Sequence, residues 1–391
     1  MLWNQASKGA VQCCRALWDA GFAAYPVGGC VRDLLLGRQP GDWDITTGAL
    51  PEQVMSLFDH VIPTGIKHGT ITVLLDGEPL EVTTFRGETG YSDGRHPDVV
   101  RFDATLEEDL SRRDFTINAM ALAPDGSIVD LFGGQEDLSR KVIRCVGDPV
   151  RRFGEDGLRM FRAVRFGAQL GFQLTEETVQ AICTCASGAE HIAAERVRVE
   201  VEKTLCSDRP AAAMQFFSFD LMRRWADGCP TDLWILDQLP AEPLLRWAGL
   251  CARLMVGGCI KTPERFLREL KLDRATIRAC EVGVELWQQG LPAEDAGWRK
   301  LLANYGTDSC GAAAAMAGAE VLCLLEAVLA QKPCVRVEQL AVSGGELARR
   351  GLNGVRIGAA QRYLLEHVLL YPEDNQADIL NLKLEEFISR S

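Results

Sequence analysis

The chain has 391 residues, 47% of them hydrophobic and 25% charged, with a formal net charge of −12. That composition excludes a disordered chain, and the acidic balance excludes a protein that coats nucleic acid indiscriminately, so any contact with RNA must use local basic faces. No apolar run reaches membrane-spanning length, because the most apolar late stretch is interrupted by Glu320 and Glu326.

The N-terminal 25 residues read as an amphipathic helix with charges inside it, neither a signal peptide nor an anchor, and the expected location is the cytoplasm. The 14 cysteines form no CxxC pair and have no histidine partner at zinc spacing, which predicts reduced and mostly buried thiols. Residues 24 to about 145 mix short β-branched runs with glycine-rich links, and Asp76-Gly77 is a hairpin turn between "TITVLL" and "PLEVTTF". From about 149 onward the apolar spacing is helical, with breaks at "SDRP", "DGCPTD", "GLPAEDAG", "QKPC" and "SGG". The expected class is α+β, a strand-built head followed by a long helical body.

In chain order, the first chemistry-bearing stretch is "GGCVRD" at 28–33. Two glycines let backbone amides approach a ligand, a helix starting near Cys30 would offer its N-terminus to phosphate, and Arg32 would act as a cationic clamp. In "DWD", Asp42 and Asp44 would share one face of a strand about 7 Å apart, a pairing suited to Mg²⁺ that also binds substrate phosphates. Glu81, in the second arm of the hairpin, is a candidate third carboxylate whose face the sequence leaves open. The segment from Arg86 to Pro97 is rich in Gly, Ser and Asp and is expected to be a mobile loop.

Further along, "LEEDLSRRDFTINAMAL" reads as an acidic helix, then Arg112, Arg113 and Asp114, then an apolar helix; the arginines suit a triphosphate. "EDGLRMFRAVRF" is expected to set Glu155, Asp156, Arg159, Arg162 and Arg165 on one helix, with Asp156 and Arg159 adjacent. Such a pair is either a surface ion pair or a reader of a base edge. Cytosine and adenine both present an exocyclic amine beside a ring-nitrogen acceptor, so a carboxylate and a guanidinium together would select C and A and reject U and G. A second basic stretch, "KTPERFLRELKLDRATIRA" at 261–279, is equally consistent with a solvated helix face.

Taken in order, "GGCVRDLLLG", "DWDITT", "TGIKHGTITVLL", "FRGETGYSDGRHPDVVRF", "RRDFTINAMAL", "RRFGEDGLRMFRAVRFGAQLGF" and "HIAAERVRVEVEKTL" closely resemble the class II tRNA nucleotidyltransferases, the CCA-adding enzymes. The resemblance implies a small polymerase-beta-like nucleotidyltransferase head of mixed sheet over 1–145, a helical neck for nucleotide selection over 146–210, a helical body over 211–310 and a tRNA-binding tail over 311–391. It also implies template-independent addition of C, C and A to the tRNA 3′ end from CTP and ATP, by two-metal transfer with release of pyrophosphate. Asp42 and Asp44 would hold Mg²⁺ with Glu81 beside them, Gly29 and Arg32 would meet the triphosphate, and Arg113, Asp156, Arg159, Arg162 and Arg165 would surround the nucleotide. No membrane or obligate protein partner is implied. The rival readings are an A-adding specialist of a split system and a bacterial poly(A) polymerase; "GIKHGTITV" resembles the tRNA branch instead.

Overall fold

In the computed structural model, which describes residues 2–89 and 99–390, the chain divides into two compact units. One comprises Met1–Thr204 with Gln215–Arg224, the other Leu205–Met214 with Trp225–Ser391. The expected head–neck border at 145/146 lies inside the first unit. Most of the Arg86–Pro97 segment expected to be mobile lies outside the described residues.

The first unit opens with helix α1 (Lys8–Asp19), capped by the Ser7 side chain, whose face of Cys13, Cys14 and Leu17 is buried. A five-stranded sheet follows, built from β1 (Ala24–Pro26), β2 (Trp43–Thr47), β3 (Val61–Gly65), β4 (Thr70–Leu75) and β5 (Glu78–Thr84) in the order β1-β2-β5-β4-β3. Only β2 and β5 are parallel. The β4–β5 turn is the expected one: Asp76 at φ 50° and Gly77 at φ 82° supply the left-handed pair that a two-residue hairpin needs. Strand alternation splits the sheet into two unlike faces. Trp43, Ile45, Leu80, Val82, Ile71 and Val73 are buried on one face. The other carries a polar row in which Asp44 is opposite Glu81 and Glu81 is opposite Thr72.

Helix α2 (Gly29–Leu35) leaves β1 through Gly28, whose φ of 82° favours glycine. Helix α3 (Pro51–Leu57) follows β2. Strands β6 (Gly87–Thr89) and β7 (Val99–Arg101) pair antiparallel, and α4 (Leu106–Ser111) starts on a Thr105–Glu108 capping box. The apolar helix expected after Asp114 does not form. Thr116–Asn118 is a single 3₁₀ turn, and Met120–Leu122 is strand β8, paired with β9 (Ile128–Asp130). Its fully buried Met120, Ala121 and Leu122 fit a strand held by pairing, a case of tertiary context overriding local preference.

After α5 (Gly134–Arg140) and β10 (Val142–Ile143), the expected single helix through residues 155–165 is two helices, α6 (Pro149–Glu155) and α7 (Leu158–Leu170). Asp156 lies between them in an extended conformation (φ −146°, ψ 105°), and its carboxylate accepts from the Leu158 N–H at 3.1 Å. Strand β11 (Gln173–Leu174) pairs with β10, and α8 (Glu176–Cys185) and α9 (Ala194–Leu205) complete the part used below.

The second unit is helical; among the described residues one core gathers around Trp298, Leu302, Cys310 and Leu325 and another around Leu347, Leu364, Leu380 and Leu384. Helix Asp295–Ala317 is kinked at Gly306 (φ 80°), and the expected body–tail border at 310/311 falls inside it. Within 261–279, Arg265 pairs with Glu269 and Arg268 with Glu264, all on exposed helix, as a solvated face would have them.

Candidate active site

The site grows from the polar face of the sheet. Asp42 is exposed and sits just before β2 rather than within it, and Asp44 is half-buried on the strand. Glu81 lies beside Asp44 in register on the parallel neighbour, which settles the face that the sequence left open. Burial is the largest influence on the Asp44 carboxyl; Asp42 and Glu81 add to it, Arg113 and Arg162 oppose it, and the balance pushes its pKa up to about 6. The raised value reflects first a carboxyl drawn out of water and then its two acidic neighbours.

Two of the groups that fix the arginines, Asp109 and Asn118, are ones that the sequence did not single out. Asp109 of α4 is fully buried, accepts from the Thr46 hydroxyl at 3.2 Å, and holds Arg112 at 2.6 Å and Arg113 at 3.5 Å. Arg113 reaches Gly28: a Cβ built there would stand 2.9 Å from its Nη1 and 3.8 Å from Asp44 Oδ2. The close approach therefore falls on Gly28, whereas at Gly29, the glycine expected at the triphosphate, the nearest atom is Arg32 Nη2 at 3.7 Å. Arg32 donates to Asp33 at 2.8 Å and to the Asn118 side-chain oxygen at 2.8 Å. The Asn118 amide donates in turn to Asp114 at 3.1 Å, and the other Asp114 oxygen takes Arg162 at 2.7 Å. Burial alone would push the Asp114 carboxyl up, but Arg162, the Asn118 hydrogen bond and Arg159 outweigh it and hold the pKa at about 2.

The other expected nucleotide contacts have different surroundings. Asp156 and Arg159 do not pair with each other. Arg196 of α9 holds Asp156 at 2.8 Å, while Arg159 donates to Glu155 at 2.8 Å, to the Arg152 carbonyl at 3.0 Å and to the Arg112 carbonyl at 2.9 Å. The reason is the chain break between α6 and α7, which takes Asp156 off the helix that carries Arg159. Arg165 is 8% exposed and bound to Glu200 at 2.5 Å and Gln169 at 3.0 Å. The structure thus gathers Asp42, Glu81, Arg113 and Arg162 around Asp44, links Arg32 to Arg162 through Asn118 and Asp114, and keeps Arg165 buried. A cavity of about 750 Å³ lined by Thr116, Asp137, Arg144 and Thr178 includes none of these groups.

Among the described residues no three His, Cys, Asp or Glu side chains form a ready-made metal cage. The neighbouring Asp42 and Asp44 carboxylates nevertheless suit Mg²⁺, which is held by one or two carboxylates and completes its shell with substrate phosphates and water.

Residues 24–144 match the poly A polymerase head domain, and residues 171–222 match the "probable RNA and SrmB- binding site of polymerase A". Head and site together define a nucleotidyltransferase of that class. Among curated proteins the chain is 36% identical to a CCA-adding enzyme of Leuconostoc mesenteroides over 95% of this chain and 94% of that one. It is 47% identical to the enzyme of Lactobacillus helveticus over 68% of each. A crystal structure of the Bacillus stearothermophilus CCA-adding enzyme in complex with CTP superposes with a TM-score of 0.81 at 33% identity, covering 97% of both chains. The Thermotoga maritima CCA-adding enzyme complexed with tRNA shares the fold, with a TM-score of 0.68 at 20% identity over 99% of this chain and 97% of that one. The chain belongs to the CCA-adding enzymes.

Proposed function

We propose that this chain adds C, C and A to the 3′ end of tRNA from CTP and ATP, releasing pyrophosphate at each step. The observation that carries the reading is the meeting of Asp42, Asp44 and Glu81 with Arg113 and Arg162, to which Asp114 and Asn118 link Arg32. That arrangement serves a polyanionic triphosphate and an attacking hydroxyl in one place. Arg32, Arg113 and Arg162 neutralise the triphosphate, and the amides at the start of α2 approach it through the glycine turn. Asp42 and Asp44 would hold Mg²⁺, with Glu81 as the neighbouring third carboxylate. When bound, Mg²⁺ offsets charge on the phosphates and makes the primer 3′-hydroxyl a better nucleophile, by the two-metal pattern that the family resemblance implies.

Nucleotide choice is assigned to Asp156 and Arg159. The carboxylate would accept from the exocyclic amine of C or A, and the guanidinium would donate to the ring nitrogen. Their ties to Arg196, Glu155 and two main-chain carbonyls support this role, because a base reader must be held still before the base arrives. Residues 1–145 act as the head, 146–210 as the neck that selects the nucleotide, 211–310 as the body and 311–391 as the tail that binds tRNA. The 14 free thiols suit work in a reducing cytoplasm, and no helix among the described residues is long and apolar enough to cross a membrane.

The test is Asp42→Asn and Asp44→Asn. Each is expected to lower C addition and A addition alike by about a thousandfold or more while the melting temperature stays near wild type. Near-normal addition of both nucleotides by either variant would contradict the metal assignment.

A further inference from the structure

Phe166 lies in α7, is 5% exposed and carries no chemistry of its own. Three guanidiniums nevertheless sit over its ring: Arg165 with its Cζ 4.1 Å from the centroid, Arg32 at 5.2 Å and Arg162 at 5.3 Å. Three like charges around one buried ring repel one another, and each has a single carboxylate of its own. Glu200 is spent on Arg165 and Asp114 on Arg162, while Arg32 relies on Asp33 and the neutral Asn118. The negative face of an aromatic ring is the remaining group that can hold all three, and within about 6 Å it attracts a guanidinium. Phe115 fixes the ring from the side, edge to face at 5.8 Å and 82°.

We infer that Phe166 is a positioning residue for the triphosphate clamp, its ring face orienting Arg32 and Arg162 while Arg165 braces it from within. The inference rests on the nucleotidyltransferase reading above. Arg32 and Arg162 come from elements far apart in sequence, α2 and α7, and two independent supports join them. One is the polar bridge through Asn118 and Asp114, the other is the shared ring. Both leave donors over. Arg32 Nη2 and Arg162 Nη1 make no hydrogen bond among the described residues, and Arg32 Nη2 stands beside Gly29 at the start of α2. A guanidinium lying on an aromatic face keeps its N–H edge free for a phosphate and loses little freedom when the phosphate arrives. A plain packing residue would fill the same volume without orienting anything.

The full-length chain carrying mono-, di- or trifluorophenylalanine at 166 separates these roles, because fluorine drains the ring face and barely changes its shape. KM for CTP and ATP, kcat and the melting temperature are measured on tRNA transcripts lacking part of the tail, together with Phe166→Leu and Phe166→Tyr. KM is expected to climb with fluorine count to about threefold to tenfold in the trifluoro protein, the size of a partly desolvated cation–π contact. Phe166→Leu should match or exceed that rise, Phe166→Tyr should stay near wild type, and kcat should change by less than about twofold. A trifluoro protein with wild-type KM, or a KM rise in Phe166→Leu that no fluorinated ring reproduces, would reduce the ring to packing and overturn the assignment alone. A wild-type chain that neither binds CTP nor extends tRNA would overturn the functional reading, and this assignment with it.

Discussion

Asp114 shows how little of an active site is its reacting groups. Its carboxylate sits between the Asn118 amide and Arg162, buried to 8% exposure, and its pKa of about 2 is below the ordinary 3.8. A carboxyl depressed on folding contributes stability above its unfolded pKa and loses it as pH falls through the folded value, so the contribution is present above about pH 4 and vanishes by about pH 2. It is worth about 2 kcal/mol. Urea unfolding of wild type should therefore lose that increment between pH 4 and pH 2, and Asp114→Asn, already without it at neutral pH, should lose less over the same interval. Equal pH slopes would remove Asp114 from the acid response. Gly28 is a second such position: at φ 82° and with Arg113 Nη1 2.9 Å from a built Cβ, Gly28→Ala should cost about 1–2 kcal/mol and raise KM for both nucleotides by displacing Arg113. An unchanged KM would mean that Arg113 yields without consequence. At this scale the sequence displayed the candidate site groups, the paired aspartates and the arginines, because each charge is visible wherever it stands. Asp109, Asn118 and Phe166 were not legible, since part of what each does depends on distant chain, as with Thr46–Asp109 across 63 positions and Arg32–Asn118 across 86.

If Asp156 and Arg159 read the base as proposed, selection depends on the break between α6 and α7, which takes Asp156 off the helix that carries Arg159. Arg159→Ile and Asp156→Ala are each expected to relax discrimination against UTP and GTP, allowing U or G into the product, while C and A are still transferred because the carboxylates of the head are untouched. Buried hydrogen-bonding sites discriminate by roughly four to five decades, so the change should be large. Single-nucleotide extension on a transcript ending before its tail reads it directly, and faithful C and A addition by both variants would return these residues to a structural role. Arg196→Ala should reproduce part of the Asp156 effect, since Arg196 holds that carboxylate at 2.8 Å. The hairpin at Asp76-Gly77 could be read from the sequence because its signal is local. The break could not be placed from apolar periodicity, which runs on through Leu158–Phe166; the Asp156-Gly157 dipeptide, a common turn signal, was the cue available. Strand β8 was misread as helix for the converse reason, its identity coming from pairing with β9 and burial rather than from its own residues.

Across the whole molecule, an acidic chain of net charge −12 carries out chemistry on polyanions by concentrating its arginines locally. The first unit holds every group assigned to catalysis and selection, and the helical second unit was legible as helix from its spacing and its breaks, the "SGG" break falling where a helix starts at Gly344. The measurement that tests the central claim most directly supplies the wild-type chain with Mg²⁺ and tRNA transcripts ending before the tail, after the first C and after CC, with CTP and ATP singly and together. Product length and 3′ sequence are then read. Addition of two Cs from CTP alone to the tailless transcript, one A from ATP to the CC-ended transcript, and a stop at CCA with both nucleotides is the predicted result. A growing A tract, or A transfer without any C addition, would contradict it.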